Sequence, residues 1–247
     1  MEQENLSNKQ VIPLKNIEVL VSAIHDVSNS PAHLPKMVTF SGPSGYGKSF
    51  AAAYAMNKFD CGYLEIGSSY SITHLLDEIL KELGITTKEK TIAKKMPIIV
   101  ENLIETNKPI ILDEFDFMVT KSRGLEIIRE IHDKAGSPII LIGEELLPKK
   151  LEETERFHNR VLNWVKAEPV SLEDARNLAK LYVPKLKIED NLLTKLVKIS
   201  QGRVRRVCVN LEQIKSEATL NGWTEVNLQT WGNKKFFTGN APAPRRV

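Results

Sequence analysis

The sequence predicts an α/β protein, in which a parallel sheet covered by helices on both faces is followed by a small helical lid. Two observations support this prediction. Apolar runs without polar alternation, such as MVTF, PIIL and SPIILIG, are separated by helical patterns, which is typical of buried parallel strands. From about Ser171 onward the strand patterns stop, and three helical patterns follow in succession.

Helices and strands alternate along the first part of the chain. The segment VIPLKNIEVLVSAIHDV has apolar residues at helical spacing, and a Pro/Ser loop then leads to the strand MVTF. The strand GYLEIG precedes the amphipathic helix SITHLLDEILKELG, which we expect to end at Gly84. The remaining predicted elements are the lysine-rich connector TTKEKTIAKKMP, the helix IIVENLIETN, the strand PIILDEFDF, the helix SRGLEIIREIHDKAG and the strand SPIILIG.

Three segments follow from these patterns. Residues 1–168 are predicted to form the α/β core with its N-terminal helix, and residues 169–222 the helical lid. Residues 223–247 contain glycines, prolines and no apolar period, which predicts an extended basic tail.

Composition is that of a globular domain, since 42% of the 247 residues are hydrophobic and 26% are charged. No apolar run is long enough to span a membrane, and the first residues lack the apolar core of a signal peptide, so we expect a cytoplasmic protein without a membrane partner. The two cysteines lack metal-ligand spacing. From Lys185 onward, 12 Lys and Arg stand against 5 Asp and Glu, which indicates a surface for a polyanion or simply a solvated basic face.

One glycine-rich segment carries a strong chemical signal. It fits the pattern G-x-x-x-x-G-K-[ST] without a mismatch and lies between a predicted strand and a predicted helix. Its residues are Gly42, Pro43, Ser44, Gly45, Tyr46, Gly47, Lys48 and Ser49. Backbone N–H groups of such a loop surround phosphates, the lysine reaches the terminal phosphates, and the hydroxyl binds Mg²⁺. The pattern predicts a site for ATP and Mg²⁺, the alternative being a surface Gly/Ser turn.

Two acidic residues end the apolar strand PIIL. Ligands in parallel sheets bind at the carboxyl ends of the strands, where Asp113 and Glu114 are predicted to lie. We interpret Asp113 as a Walker B ligand of Mg²⁺, directly or through water, and Glu114 as the residue that orients the attacking water. The pair favours ATP hydrolysis over simple binding, and the alternative is the solvated start of a loop.

Taken in order, the motifs GPSGYGKS, IILDEFD, LIGEE, FHNRV and GRVRR resemble those of the AAA+ ATPases. The resemblance covers about residues 13–222. In this family a polar sensor 1 residue, usually Asn, Thr or Ser, follows the next strand, whereas this chain has Gly143, Glu144 and Glu145 there. The resemblance therefore assigns sensor 1 to Glu144, an anionic residue in place of a neutral one.

The same resemblance assigns two catalytic arginines. Arg160 in RFHNRVLNW matches the arginine that reaches the nucleotide of a neighbouring subunit, with Arg156 as second choice. Arg205 in SQGRVRRVCVNL matches the sensor 2 arginine of the lid, flanked by Arg203 and Arg206. Hydrolysis at subunit boundaries implies a homo-oligomer.

Within the AAA+ ATPases, the chain resembles the transposition target-selection proteins, namely the phage Mu B protein and the TnsC-type regulators. This resemblance implies a protein of a bacteriophage or mobile element that works in the bacterial host cytoplasm. It would bind double-stranded DNA without sequence preference as an ATP-bound oligomer or helical filament. It would then select or deliver the transposition target and stimulate a transposase, with ATP hydrolysis driving disassembly. The alternatives are a replication initiator or helicase loader and, in another class, a P-loop small-molecule kinase.

Two groups of basic residues are candidates for contacts with DNA phosphates, although each is also compatible with a solvated face. The candidates are Lys88, Lys90, Lys94 and Lys95 in the connector, and Lys121 and Arg123 after the acidic pair. In the tail, the basic side chains are Lys234, Lys235, Arg245 and Arg246, and Phe236 and Phe237 are candidate anchors for a partner protein.

Overall fold

A computed structural model describes residues 14–241 of the chain. The chain divides into two compact units, which are described separately. The first unit is Asn16–Glu168, and the second contains residues 169–241 together with residues 14–15. Arg245 and Arg246, two of the predicted basic tail residues, lie outside the described residues.

The first unit contains a five-stranded sheet in which every pairing is parallel. The spatial order is β2-β3-β4-β1-β5. The strands are β1 (Met37–Ser41), β2 (Gly62–Glu65), β3 (Ile110–Asp113), β4 (Ile139–Gly143) and β5 (Val161–Lys166). All residues of β1, β3 and β4 are buried, which is why these three strands lack polar alternation in the sequence.

Helices cover both faces of this sheet. They are α1 (Lys15–Ser28), α2 (Lys48–Phe59), α3 (Ile72–Glu82), α4 (Ile92–Thr106), α5 (Asp116–Val119), α6 (Ser122–Ala135), α7 (Leu147–Glu152) and α8 (Glu155–His158). Successive residues of β1 show the two layers: Met37 packs in a large cluster with residues of α3, α4 and α6, whereas Val38 packs with Ala23 and Val27 of α1. The predicted α/β class with helices on both faces is confirmed.

The second unit contains four helices and a small strand pair. These elements are α9 (Leu172–Tyr182), β6 (Lys187–Ile188), α10 (Asp190–Ile199), α11 (Val204–Asn221), β7 (Glu225–Val226) and α12 (Leu228–Trp231). A capping box begins α9, in which Asp174 N donates to Ser171 Oγ at 3.0 Å and Ser171 N donates to Asp174 Oδ2 at 2.9 Å. The three long helices match the sequence prediction, but the expectation that strands stop at Ser171 is wrong, because β6 pairs with β7 in parallel.

Residues after Gly222 are not simply an extended tail. Beyond β7 and α12, the ring of Phe236 stacks on Trp231 with centroids 5.0 Å apart, and both side chains are buried. The buried amide of Asn210 on α11 binds the backbone of Phe237 twice, as acceptor from its N–H at 2.7 Å and donor to its carbonyl at 3.0 Å. The apolar contacts and these hydrogen bonds hold the segment against the second unit.

In the part of the chain that the structure describes, no helix is both long and apolar enough to cross a membrane.

Candidate nucleotide-binding site

The carboxyl ends of three neighbouring strands bring together the loop and the acidic residues singled out in the sequence. Gly42 follows β1, Glu114 follows β3, and Glu144 follows β4. The connections are hydrogen-bonded across this edge: Gly42 N donates to the Gly143 carbonyl at 3.4 Å, and Phe115 N donates to the Ile142 carbonyl at 2.9 Å. The site therefore lies where parallel sheets bind their ligands.

The glycine-rich loop has the backbone geometry that an anion site needs. Gly45 and Gly47 have φ values of 87° and 82°, a region that side-chain-bearing residues rarely adopt. Gly47 is the N-cap of α2, so the loop ends at a helix N-terminus whose unpaired N–H groups favour an anion. This loop is followed at once by Lys48, the first residue of α2.

Asn16 on α1 anchors the loop from outside the motif. Its side-chain amide donates to the carbonyls of Tyr46, at 2.7 Å, and Glu168, at 2.8 Å. Its carbonyl oxygen accepts from Glu168 N at 2.8 Å, so the side chain is hydrogen-bonded at both ends. No motif in the sequence indicates this role, because Asn16 lies 30 residues from Tyr46 and 152 from Glu168.

Lys48 lies close to the carbonyls of the glycine-rich loop and to the acidic residues of the candidate site. Its ammonium donates to the carbonyls of Gly42, at 2.7 Å, and Pro43, at 3.1 Å. Burial lowers the pKa of Lys48, and the opposing charges of nearby acids act to raise it. These acids are Asp113, Glu114, Glu144 and Asp116. The structure thus brings the predicted lysine, Walker B pair and sensor 1 residue to one place.

Asp113 is buried, with 1% of its surface exposed, and both of its carboxylate oxygens accept a hydrogen bond. Oδ1 accepts from Glu114 N at 2.8 Å, and Oδ2 accepts from the Tyr63 hydroxyl at 3.0 Å. Burial, followed by the charge of Asp113, raises the pKa of Tyr63 well above its usual range, so the phenol remains a donor. Tyr63 is a site residue that sequence analysis missed.

Glu114 has a left-handed backbone, with φ at 55°. A non-glycine residue in this region is strained and needs local support, which the hydrogen bond from Glu114 N to Asp113 provides. Burial and then the charge of Asp113 raise the pKa of Glu114, whereas Lys48 lowers it. A raised pKa makes the carboxylate a better proton acceptor, which suits a group that orients and deprotonates water.

The donor set fits Mg²⁺ bound together with a nucleotide. Mg²⁺ is held by one or two carboxylates and by phosphate oxygens rather than by an all-protein cage. Asp113 supplies one such carboxylate. Ser49, which is exposed on the first turn of α2, supplies a hydroxyl. Among residues 14–241 no cluster of three or more His, Cys, Asp or Glu side chains could hold a metal alone. A cation at this edge would need the phosphates as further ligands.

Asp116 connects the Walker B region with the sensor 1 loop. Its Oδ2 accepts from Glu144 N at 2.6 Å, and its Oδ1 accepts from Lys150 Nζ at 2.7 Å. The side chain of Glu144 is itself exposed, and its role as sensor 1 stays a prediction. Asp116 fixes the backbone from which Glu144 projects, a contact that spans 28 residues of sequence.

Gly143→Ala is expected to disrupt this connection. An ideal Cβ at Gly143 would lie 2.3 Å from Asp116 Oδ2 and 2.7 Å from Leu147 Cδ2, closer than real contacts allow. We expect the free energy of unfolding to fall by about 1–3 kcal/mol, as is typical of overpacked sites. The control is Gly62→Ala on β2, where the nearest atoms lie at an ordinary 3.8 Å. Urea unfolding of both variants tests this, and equal stabilities would contradict the steric argument.

Arg160 lies at the amino ends of the strands, whereas the phosphate loop lies at their carboxyl ends. It immediately precedes β5, and its carbonyl accepts from Met37 N, at the amino end of β1, at 3.2 Å. The phosphate loop begins after Ser41, at the other end of β1, roughly 13 Å away along the strand. Arg160 is therefore placed away from the phosphate loop of its own subunit, as a residue that serves a neighbour's site requires. That role stays a prediction.

The carboxylate of Asp133 holds the guanidinium of Arg160, and His132 in turn contacts Asp133. Its Nε donates to Asp133 Oδ1 at 2.7 Å and its Nη2 to Oδ2 at 3.2 Å. His132 Nε2 accepts from Lys36 N at 2.9 Å, which leaves the proton on Nδ1, 3.1 Å from Asp133 Oδ1. Burial lowers the pKa of His132. A cavity of about 480 Å³ opens beside Arg160. By contrast, Arg156, the second choice, is exposed on α8.

Arg205 belongs to the second unit, on the first turn of α11. The preceding Gly202 has φ at 65°, and an added Cβ would lie 2.4 Å from the Cβ of Pro169, so the glycine of this motif is required by packing. Arg205 is exposed and forms no ion pair with any residue between 14 and 241. Its sensor 2 role stays a prediction, as do the contributions of Arg203 and Arg206.

The connector lysines differ in their surroundings. The loop between α3 and α4 is shorter than the predicted connector TTKEKTIAKKMP, because α4 begins at Ile92 and includes Lys94 and Lys95. Lys95 is buried, with 2% exposure, and pairs with Asp77 of α3, so the prediction that it contacts DNA does not fit the structure. Lys94 is exposed and pairs with Glu89 at 3.0 Å. Lys88 and Lys90 are exposed and have no ion pair within the described ranges, and they stay candidates.

The other residues predicted to contact DNA or a partner protein also differ in their surroundings. Lys121 precedes α6, and its ammonium donates to the Tyr70 carbonyl, whereas Arg123 on α6 is exposed. In the second unit, Lys234 pairs with Glu217 at 2.7 Å and Lys235 is exposed. The prediction that Phe236 anchors a partner is corrected, because this side chain is buried, while Phe237 remains 47% exposed.

Comparison with known proteins agrees with this geometry. Residues 32–151 match the family described as AAA domain. No curated protein sequence matches the chain. The solved structure of the Orc1 protein of Aeropyrum pernix in complex with DNA is 13% identical, with a TM-score of 0.60 over 85% of this chain. The chain spans only 61% of that Orc1 chain.

Two further solved structures have the same fold. The Orc2 protein of Aeropyrum pernix in its ADP form is 16% identical, with a TM-score of 0.66, and the match covers 93% of this chain and 69% of that one. Domain III of the replication initiation protein DnaA of Thermotoga maritima is 17% identical, with a TM-score of 0.55, and the match covers 89% and 91% of the two chains. The chain therefore has the AAA+ P-loop fold, and the segment that matches the AAA domain lies within its first unit.

Proposed function

We propose that this protein is an ATP-hydrolysing, DNA-binding AAA+ protein of the replication-initiator or helicase-loader type, which assembles into oligomers on duplex DNA. The observation that carries the proposal is the convergence of Lys48, Asp113 and Glu114 at one edge of the sheet, beside a loop with phosphate-binding geometry. These groups match the parts that hydrolysis of a nucleoside triphosphate requires.

Each residue of this edge has a distinct role in the proposed hydrolysis. Lys48 would contact the terminal phosphates, and the Ser49 hydroxyl and Asp113 would hold Mg²⁺, which would supply positive charge to neutralise the phosphates. Glu114, with its raised pKa, orients the attacking water and accepts its proton. Glu144 is positioned by its backbone contact with Asp116 to sense the same phosphates, through water or a cation because of its own charge.

Oligomerisation is part of the proposal because Arg160, the arginine assigned to the transition state, lies away from the phosphate loop of its own subunit. Arg160 lies at the amino edge of the sheet and would enter the site of an adjacent subunit, where it stabilises charge in the transition state. Whether the oligomer is a ring or a helical filament depends on subunit geometry. The transposition resemblance implies a filament.

DNA is the proposed polyanionic partner. The basic excess after Lys185 and the exposed Lys88 and Lys90 provide cations for phosphate contacts without sequence preference. A solved structure with the same fold, that of Orc1, is a complex with DNA, and another is a domain of a replication initiation protein. These structures support the initiator class, which we place before the transposition function that sequence analysis put first.

Transposition target selection is the second candidate, supported by the sequence resemblance alone. The two functions share every ATPase residue and differ in the protein partner. Pull-down of purified replicative helicase or transposase from the same source, with ATP and duplex DNA present, distinguishes them. Binding of the helicase alone supports an initiator or loader, and binding of the transposase alone supports target selection. A small-molecule kinase would instead show phosphate release that rises with a metabolite and not with DNA.

DNA binding is expected to depend steeply on salt and weakly on sequence. If each protomer neutralises about two phosphates, the logarithm of the binding constant should fall with log[salt] at a slope near −2 per protomer. Changing Lys88 and Lys90 together to Ala should bring that slope closer to zero. The control pair is Lys58 and Lys180, which are exposed on α2 and α9 and belong to neither group of proposed DNA contacts. Fluorescence anisotropy with duplex DNA measures the slopes, and an unchanged slope in the first variant would place the DNA surface elsewhere.

A further inference from the structure

The geometry points to Tyr63 as a positioning residue for the magnesium site, which acts by holding the carboxylate of Asp113 in one orientation. This inference rests on the proposed nucleotide-binding function. It concerns a residue on β2, an edge strand that contributes none of the motifs recognised in the sequence.

Sheet register places Tyr63 on the same face as Asp113. In the parallel pairing of β2 with β3, Tyr63 is opposite Ile111 and Glu65 is opposite Asp113. Residues two apart on a strand share a face, so Tyr63, Ile111 and Asp113 point to the same side. Their neighbours Leu64 and Leu112 pack in the core cluster of the other side, with α3 and α4.

The phenol is long enough to reach along the sheet to the end of β3. A tyrosine side chain spans the diagonal distance to a residue two positions beyond its cross-strand partner. Its hydroxyl donates to Asp113 Oδ2 at 3.0 Å, while Glu114 N donates to Oδ1 at 2.8 Å. Each oxygen thus has one fixed donor, and its remaining lone pairs are restricted in direction.

This restriction matters because Asp113 is 1% exposed. A buried carboxylate oxygen without a donor is costly, so the carboxylate would rotate or draw in water if the phenol were absent. Outer-shell hydrogen bonds that orient a metal ligand typically account for 10–100-fold in metal affinity. Tyr63 therefore sets the direction in which Asp113 offers its oxygens to Mg²⁺ or to a water bound to it.

Tyr63→Phe tests the inference, because Phe retains the ring and removes the hydroxyl. We expect the Mg²⁺ concentration for half-maximal binding of a fluorescent ATP analogue to rise by about 10-fold. Binding of the same analogue in EDTA should not change, because Lys48 and the loop are intact. The control is Tyr54→Phe on α2, whose hydroxyl has no hydrogen bond with the described residues. A Mg²⁺ midpoint equal to that of wild type would overturn the inference.

A second measurement separates an effect through Asp113 from a general loss of structure. In an Asp113→Asn background, Tyr63→Phe should shift the Mg²⁺ midpoint by less than twofold, because the two residues act as one unit. An equal shift in both backgrounds would overturn the inference, since Tyr63 would then act elsewhere. A different result would contradict the proposed function itself, namely that wild type shows no Mg²⁺-dependent binding of the nucleotide at all.

Discussion

Glu114→Gln is expected to bind ATP as wild type does and to hydrolyse it at least about 100-fold more slowly. Gln retains the size of the side chain but cannot accept a proton from water, and general base catalysis typically contributes 10²–10⁴-fold. ATP binding is unaffected because Lys48 and the loop are unchanged. Single-turnover phosphate release together with a nucleotide-binding titration measures both quantities. The variant should also accumulate as an oligomer on DNA, because disassembly requires hydrolysis.

Glu145→Gln is the matched control for this experiment. Glu145 follows the sensor 1 candidate and is exposed, with no hydrogen bond to a residue in the described part of the chain. The same change of Glu to Gln should leave its hydrolysis rate close to that of wild type. If Glu114→Gln hydrolyses ATP at the wild-type rate, the assignment of Glu114 is wrong.

Arg160→Ala is expected to retain ATP binding and to lose about 10³-fold or more in hydrolysis rate. The guanidinium stabilises charge only in the transition state of a neighbour's reaction, so its removal should not affect nucleotide affinity. Folding is expected to survive, because Asp133 keeps its hydrogen bond with Arg129 at 2.9 Å. Thermal unfolding of the variant checks this point.

Arg156→Ala provides the comparison, since Arg156 lies on the adjacent short helix and is the second choice for the same role. It should hydrolyse ATP at a rate near that of wild type. The reverse result, in which Arg156→Ala is inactive and Arg160→Ala is active, would make Arg156 the trans-acting arginine. In that case the ion pair of Arg160 with Asp133 would be purely structural.

The parts of the site that sequence analysis predicted are those encoded locally. The phosphate loop depends on glycines at fixed spacing, and Gly45 and Gly47 have the positive φ values that the pattern requires. Asp113 and Glu114 were placed correctly because an apolar run that ends in acids identifies a buried strand and its carboxyl edge. The continuous burial of β1, β3 and β4 explains why these strands were recognisable without alternation.

Residues that act through tertiary contacts could not be predicted in this way. Tyr63 reaches Asp113 across 50 residues of sequence, and its position depends on strand order, which no local pattern gives. In the sequence, nothing distinguishes Lys95 from the exposed lysines around it, but its position on helix α4 directs it inward to Asp77. Similarly, Phe236 and the strand pair β6-β7 follow from packing against distant residues, which a segment rich in Gly and Pro does not indicate.

The measurement that tests the shared-site account most directly is phosphate release from mixtures of Arg160→Ala and Lys48→Ala proteins, with duplex DNA present. Each variant alone should be inactive, the first without a trans-acting arginine and the second without its phosphate-binding lysine. In a mixed oligomer, a Lys48→Ala subunit supplies its intact Arg160 to the intact loop of its neighbour. If neighbouring subunits share their sites, activity should exceed the sum of the two variants and be highest near equal amounts. Activity no greater than that sum, where wild type assembles, would contradict it.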